Sequence, residues 1–423
     1  MTQLSKKKLN SSLLTVGAIT LMVAMVGVNV SNFLFHIVIS RGLKPSGYGV
    51  ISSVLNAVVT IAVPTGALGV SVTKAVNSQL AKDLTPNITL LLKKVLVSSV
   101  VLMLVFDGSS RFIQHFLHLP SLVPLLIAGT WLPFVSVGAV LQGALFAELK
   151  YKSIAYSQLL GTGLLRLLLG TLFIVLGLGI SSVIFATVIG QAITTVMLLH
   201  YSKEYMSERY KTNETRTETK YYFLSMFSLL GFAVLNTIDV LLARHLLNSV
   251  QAGIYAAGSY AGHIALFAPG VIAMIAFPKF SASRETGDSD KTTIIESVFF
   301  TLIIGLLTTI IISLFSKTTC SVLFGNSYTS ATQLFSILCF TSVTLAIINL
   351  LSFYFLAHRS IAALLPWAGS VASLLLILRS GHSPKDIASS MLVSCVITCC
   401  LYVFAFLFKK DQNYTEAHNN AAV

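Results

Sequence analysis

The chain has 423 residues, 55% of them hydrophobic and only 10% charged, with a formal net charge of +13. A soluble domain carries about a quarter charged residues, so this composition, with a mean hydropathy of +0.83, excludes a water-soluble globule and indicates a polytopic membrane protein. The basic residues stand at the ends of apolar runs rather than in one patch, which argues against a nucleic-acid surface and for topology signals and headgroup contacts.

From the amino end, residues 1–10 form a basic tail with Lys6, Lys7 and Lys8 in a row. The first apolar run, Leu9 to Ser40, is longer than the roughly 20 residues that span a bilayer as a helix and too long for the apolar core of a cleaved leader. It predicts a first span over 11–40. Arg41-Gly42-Leu43-Lys44-Pro45-Ser46-Gly47 reads as a turn, and a second span follows to about 73. Lys94 and Asp107 leave little uncharged sequence for a third span, so it must begin near 86 and snorkel Lys93 and Lys94 to the interface. Further spans are predicted over 121–147, 151–176 and 181–202, the last two parted by Gly177-Leu178-Gly179.

Residues 203–220 are the only long hydrophilic stretch between spans and read as a linker between two bundles; an interfacial amphipathic helix is the other reading. Beyond it, the stretch Gly231 to Lys279 holds two more spans about a polar turn at Asn248 to Gln251, the second opening at Gly253 and ending at Lys279. The polar loop Arg284 to Lys291 leads to spans over 292–316, 329–356, 360–379 and 386–408. The expected fold is therefore an all-α polytopic membrane protein with twelve transmembrane helices in two pseudo-symmetric six-helix bundles: 1–202, the linker 203–220, and 221–423 with its polar tail.

The duplication rests on matched landmarks. Arg41 and Arg244 are 203 residues apart, Gly47 and Gly253 are 206, and Pro64–Pro269 and Lys74–Lys279 are both 205. His36 falls opposite Asp239, again at 203. Common boundary residues produce such coincidences; repeated bundles, frequent in secondary transporters, produce them too. With the amino terminus cytoplasmic, 20 Lys and Arg lie on the cytoplasmic side and 7 outside, which places both termini in the cytoplasm. Equal, even halves then make the repeat parallel, with its pseudo-two-fold axis along the membrane normal.

Several polar residues inside the spans are candidates for a site. Arg166, in Gly161-Thr162-Gly163-Leu164-Leu165-Arg166, sits mid-span, where an arginine costs about 2.5–3.5 kcal/mol on insertion scales. It either pairs structurally with Asp239 or Glu148, or offers its charge to an anionic substrate in a cavity. Asp239 must face a protein interior or water. Arg244 either lines a cavity or snorkels at the outer interface. His36, His263 and Arg41 are further cavity candidates, against the plainer reading of satisfied helix contacts. Asn29, Asn32, Asn56, Gln142, Gln158, Gln191 and Asn236 are interhelical hydrogen-bonders or the lining of a polar interior. Pro64 and Pro269, at matched positions, are hinge candidates. The five cysteines show no metal-ligand pattern, and no phosphate loop, paired loop carboxylates or other enzyme signature is present. No metal or cofactor is expected beyond a possible coupling cation, H+ or Na+.

Arg41-Gly42-Leu43-Lys44-Pro45-Ser46-Gly47-Tyr48-Gly49, Asp239-Val240-Leu241-Leu242-Ala243-Arg244-His245, Gly253-Ile254-Tyr255-Ala256-Ala257 and Phe277-Pro278-Lys279-Phe280-Ser281 resemble signatures of the polysaccharide flippases. These belong to the multidrug/oligosaccharidyl-lipid/polysaccharide (MOP) exporter superfamily. The resemblance implies two six-helix lobes around a central cavity. It also implies passage of a polyprenyl-diphosphate-linked glycan from the cytoplasmic to the outer leaflet of a cell (inner) membrane. The chain lacks the two extra carboxy-terminal helices of the lipid II flippases. The implied partners are the lipid-linked glycan, membrane lipids and polysaccharide-assembly proteins, with no nucleic acid. The alternatives are a cation-coupled multidrug antiporter of the same superfamily, with Asp239 on the cation, or a membrane glycan polymerase or ligase, which would need a large outer catalytic loop.

The charge count makes a direct prediction. With the native cysteines replaced, Thr212→Cys in the linker should be protected from a membrane-impermeant thiol reagent in intact cells, and Ser181→Cys should be labelled. The opposite pattern inverts the topology.

Overall fold

The computed structural model describes residues 3–80, 88–203, 219–266 and 290–408 except 381, with isolated positions between 272 and 280. The linker residues 204–218, and with them most of the predicted linker, lie outside the described residues, as do Pro269 and Lys279. The chain divides into two compact units, 1–222 and 223–423.

Regular structure among the described residues is helical, and ten helices are long and apolar enough to cross a membrane. In hydrocarbon the backbone can satisfy its own N–H and C=O groups only within a helix or a closed barrel, and long runs of Leu, Val and Ile choose the helix. The lipid-facing side is legible directly: Ile295, Phe299, Ile303, Leu306, Ile310 and Leu314 are all exposed along one helix. In water such a surface would be an aggregation liability; in a bilayer it is solvated by acyl chains.

In the first unit, α1 (Gln3–Leu80) runs through both of the first two predicted spans. The expected seven-residue turn is reduced to one irregular residue, Lys44 (φ 58°, ψ 174°), just before Pro45. Proline cannot continue the hydrogen-bond ladder, so the chain turns its axis there and resumes. Pro64 lies inside α1 without non-helical angles beside it, so the predicted break is carried as a missing hydrogen bond within a continuing helix. Then follow α2 (Thr89–Gly108), the short α3 (Ser110–Phe116), and α4 (Val123–Gly129) with α5 (Trp131–Ala147), two stretches of one predicted span parted at Thr130. The fifth span is α6 (Tyr151–Gln158), a π-helical segment (Leu159–Leu165) and α7 (Arg166–Val175). Gly177 and Gly179, at positive φ, turn the chain into α8 (Gly179–Tyr201).

The core of this unit is built from α1, α2, α5 and α8: Val72, Val76, Val95, Leu141, Leu145 and Leu198 form a buried cluster. Small residues bring α1 and α5 together. A Cβ on Gly69 would stand 3.0 Å from the Ala139 carbonyl oxygen, and Thr73 Oγ1 donates to the Gly143 carbonyl at 2.9 Å. Lipid tails are as apolar as leucine, so close packing and hydrogen bonds of this kind hold membrane helices together.

The second unit holds α9 (Thr219–Leu246), α10 (Ser249–Gly262), α11 (Lys291–Leu314), the short α12 (Ser316–Leu323), α13 (Thr332–Ala357), α14 (Pro366–Ser380) and α15 (Pro384–Leu407). Asn248 caps α10 by accepting from the Gln251 N–H at 2.9 Å, the cap its residue type favours. α13 is the most buried, packing between α10, α11 and α15. Gly231 admits the Trp367 ring of α14, whose Nε1 donates to the Phe227 carbonyl at 2.9 Å.

Lys44 occupies a backbone region that side chains rarely adopt and that costs about 1–3 kcal/mol. Lys44→Gly should therefore raise the thermal stability of purified protein by about 1 kcal/mol, and Lys44→Val should lower it by a similar amount. Indistinguishable melting of the three would show that no strain is held there.

Candidate functional site

Arg166 is placed by a local irregularity. The seven residues before it are π-helical, a form that is rare and concentrated at functional sites. Gln158 and Thr162 are in contact on this segment, with Thr162 Oγ1 2.9 Å from Gln158 Oε1. The widened backbone leaves the Thr162 N–H to be satisfied from outside, and Thr194 Oγ1 of α8 accepts from it at 3.0 Å. Thr194 reaches it because the helices almost touch: a Cβ on Gly161 would stand 2.7 Å from the Gly190 carbonyl oxygen, and one on Gly190 2.8 Å from that of Gly161.

The guanidinium is oriented on three sides. Nη1 donates to Asn32 Oδ1 of α1, Nε donates to Thr187 Oγ1 of α8 at 3.2 Å, and Cζ lies 4.0 Å from the centroid of the Phe35 ring. These three groups are neutral. Two amides and a hydroxyl extend the arrangement: Gln158 Nε2 donates to Gln142 Oε1 at 2.9 Å, and Thr162 Oγ1 lies 2.9 Å from Gln158 Oε1. Of the two carboxylates considered as structural partners for Arg166, Glu148 stands 3.5 Å from Lys150, and Asp239 accepts from Tyr255 through Oδ2.

Asp239 is buried in α9, where Tyr255 Oη of α10 donates to its Oδ2 at 2.8 Å. Its counterpart by the 203-residue offset, His36, has Nδ1 3.1 Å from Tyr48 Oη. Each unit thus ties its first apolar helix to the segment after the turn through a polar residue and a fully buried tyrosine. Tyr48 and Tyr255 were legible in the Gly-Tyr and Gly-Ile-Tyr openings, but their partners were not.

The remaining candidates are dispersed. Arg244 is only 4% exposed, so its head is held inside the unit, not extended to headgroups. Arg41 is exposed beside the Lys44 kink. His263 ends α10 and meets Tyr260 edge to face at 6.2 Å. Pro64 lies within α1. A cluster that composition did not suggest is Asp290, whose Oδ2 is 3.2 Å from His358 Nε2, with His358 Nδ1 2.9 Å from the Tyr354 carbonyl. Both residues sit at helix ends, where the sequence offers no periodic signal.

The architecture defines an all-helical, multi-pass membrane protein of the MOP transporter fold. It is similar to a multidrug resistance MATE family transporter of the MOP superfamily in an inward-facing conformation, with a TM-score of 0.75 at 13% identity, covering 89% of this chain and 93% of that one. It is also similar to the lipid II flippase MurJ in an inward closed conformation, with a TM-score of 0.70 at 12% identity over 92% and 87% of the two chains. A eukaryotic MATE transporter, AtDTX14, matches with a TM-score of 0.64 at 12% identity over 94% and 96%. Comparison with curated protein sequences gave no match. The sequence profile of the polysaccharide biosynthesis protein family matches residues 38–333, and the chain belongs to that family.

The paired tyrosine contacts can be compared by experiment. Tyr255→Phe removes a donor from a buried carboxyl, where such bonds are worth about 1.5–3 kcal/mol, and Tyr48→Phe removes a neutral bond worth about 0.5–1.5. Thermal unfolding of the purified variants should show the larger loss at Tyr255; equal losses would contradict a carboxylate-bound role for that hydroxyl.

Proposed function

We propose that this chain is an alternating-access flippase that moves a polyprenyl-diphosphate-linked oligosaccharide from the cytoplasmic to the outer leaflet for cell-surface polysaccharide assembly. The observation that carries the reading is the guanidinium of Arg166, set mid-span and oriented by Asn32, Thr187 and the Phe35 ring. Holding a cation at that depth is costly, and a diphosphate entering the span carries the complementary charge. A planar guanidinium offers it charge-assisted, bidentate hydrogen bonds. Membership of a polysaccharide biosynthesis family supports the glycan cargo. The charge count supports a cell inner membrane location with both termini cytoplasmic.

A second reading has its own observation. Asp239 is a buried carboxyl within a span, and the fold is shared with MATE transporters. Cation-coupled multidrug export would place H+ or Na+ on that carboxyl. In the flippase reading the same residue serves as the coupling site, and the two readings differ in cargo.

The test is a set of variants compared at matched protein levels by the amount of surface glycan. Arg166→Ala should insert normally and export nothing. Arg166→Lys keeps the charge without the planar fork and should retain part of the activity. Asp239→Ala combined with Arg166→Ala should not restore export. Wild-type export by Arg166→Ala, alone or in the combination, rules out the binding role.

A further inference from the structure

The line of polar groups leading away from Arg166 has a surplus of donors. Gln158 gives one amide hydrogen to Gln142 and accepts from Thr162; Asn32 spends its oxygen on Arg166. A primary amide carries two N–H donors. Both amide hydrogens of Gln142, one of Gln158 and both of Asn32 therefore have no partner among the described residues. The unmatched amide nitrogens of Gln142 and Asn32 are not among the sealed, unsatisfied side-chain groups, which in this unit are on Thr89, Asp107 and Ser202, and Gln142, Gln158 and Asn32 are all half-buried. Donors held inside a span, reachable and unmatched, call for a ligand rich in oxygen acceptors.

We propose that Gln142, Gln158 and Thr162 recognise the sugar attached to the diphosphate, through its ring hydroxyls and any acyl carbonyl oxygens. The inference rests on the reading of Arg166 as the diphosphate site. Gln158 and Arg166 are eight residues apart, just under two turns of the π segment and about 10 Å along the axis. That length accommodates a diphosphate and the sugar joined to it. Gln158 and Thr162 are in contact at the start of the π segment that ends at Arg166. Carboxamides suit a sugar ligand. Each offers paired donors and an acceptor to neighbouring hydroxyls, and neither needs a charge inside the span. The Gln142–Gln158 bond holds both amides in place before the ligand arrives.

The experiment measures binding to the purified full chain in nanodiscs. One probe is lipid-linked glycan extracted from a producing strain that lacks this chain. The other is sugar-free undecaprenyl diphosphate. The wild type should prefer the glycan-bearing lipid by about ten-fold or more, since neutral hydrogen bonds of this number sum to that range. Gln142→Leu with Gln158→Leu should abolish the preference and leave the affinity for undecaprenyl diphosphate unchanged, which also shows that the variant is folded. Gln142→Ala alone, which leaves the Gln158–Thr162 contact, should lose part of the preference. Arg166→Ala should weaken binding of both probes. A retained preference in the glutamine variants overturns the proposal, as does an equal loss for both probes in Gln142→Ala and the double variant. If Arg166→Ala binds both probes as the wild type does, the diphosphate reading fails and this one falls with it.

Discussion

Hydrocarbon offers no hydrogen-bond partner, and the polar groups around Arg166 and the buried tyrosines are arranged around that fact. A backbone N–H freed by a widened turn must be met by another helix. Here the Thr162 N–H is met by Thr194, and Thr194 can approach only because Gly161 and Gly190 carry no side chains. The π segment, the close helix pair and the position of Arg166 are thus one linked arrangement. A side chain at either glycine would separate the helices, strand the N–H and displace the guanidinium at the end of the same turn.

The same constraint explains the tyrosines. His36 and Asp239 are 203 residues apart, the offset of the matched sequence landmarks, and neither could remain in a span without an internal partner. The chain meets both needs with one device, a tyrosine from beyond the following turn, although the residue being satisfied differs. The oriented cation of Arg166 lies in the first unit and the buried carboxyl of Asp239 in the second.

Much of the fold was legible from the chain alone. Run length and the positions of Lys and Arg mark the spans, because the bilayer sets a fixed thickness and charges avoid its centre. The Gly177–Gly179 turn and the turn at Asn248 to Gln251 are local chemistry and needed no tertiary information. The Arg41–Gly47 stretch was harder: its Gly, Pro and Ser suggest a loop, whereas packing keeps nearly all of it helical and confines the irregularity to Lys44. Arg244 shows the same limit. Its place near a span end suits a snorkelling cation, and only the packing around α9 reveals that it is buried.

Residue type and run length establish that this is a helical membrane protein, which runs are long enough to span, and which few residues are costly enough there to matter. Those properties follow from transfer of each residue into lipid, one segment at a time. What the costly residues do to one another is settled by the folded bundle. A π turn whose freed N–H meets Thr194, an amide from α1 that meets a guanidinium from α7, and a tyrosine that reaches a buried acid all depend on distances between helices. Those distances are set by side-chain packing across the bundle, which no periodicity along a single chain encodes.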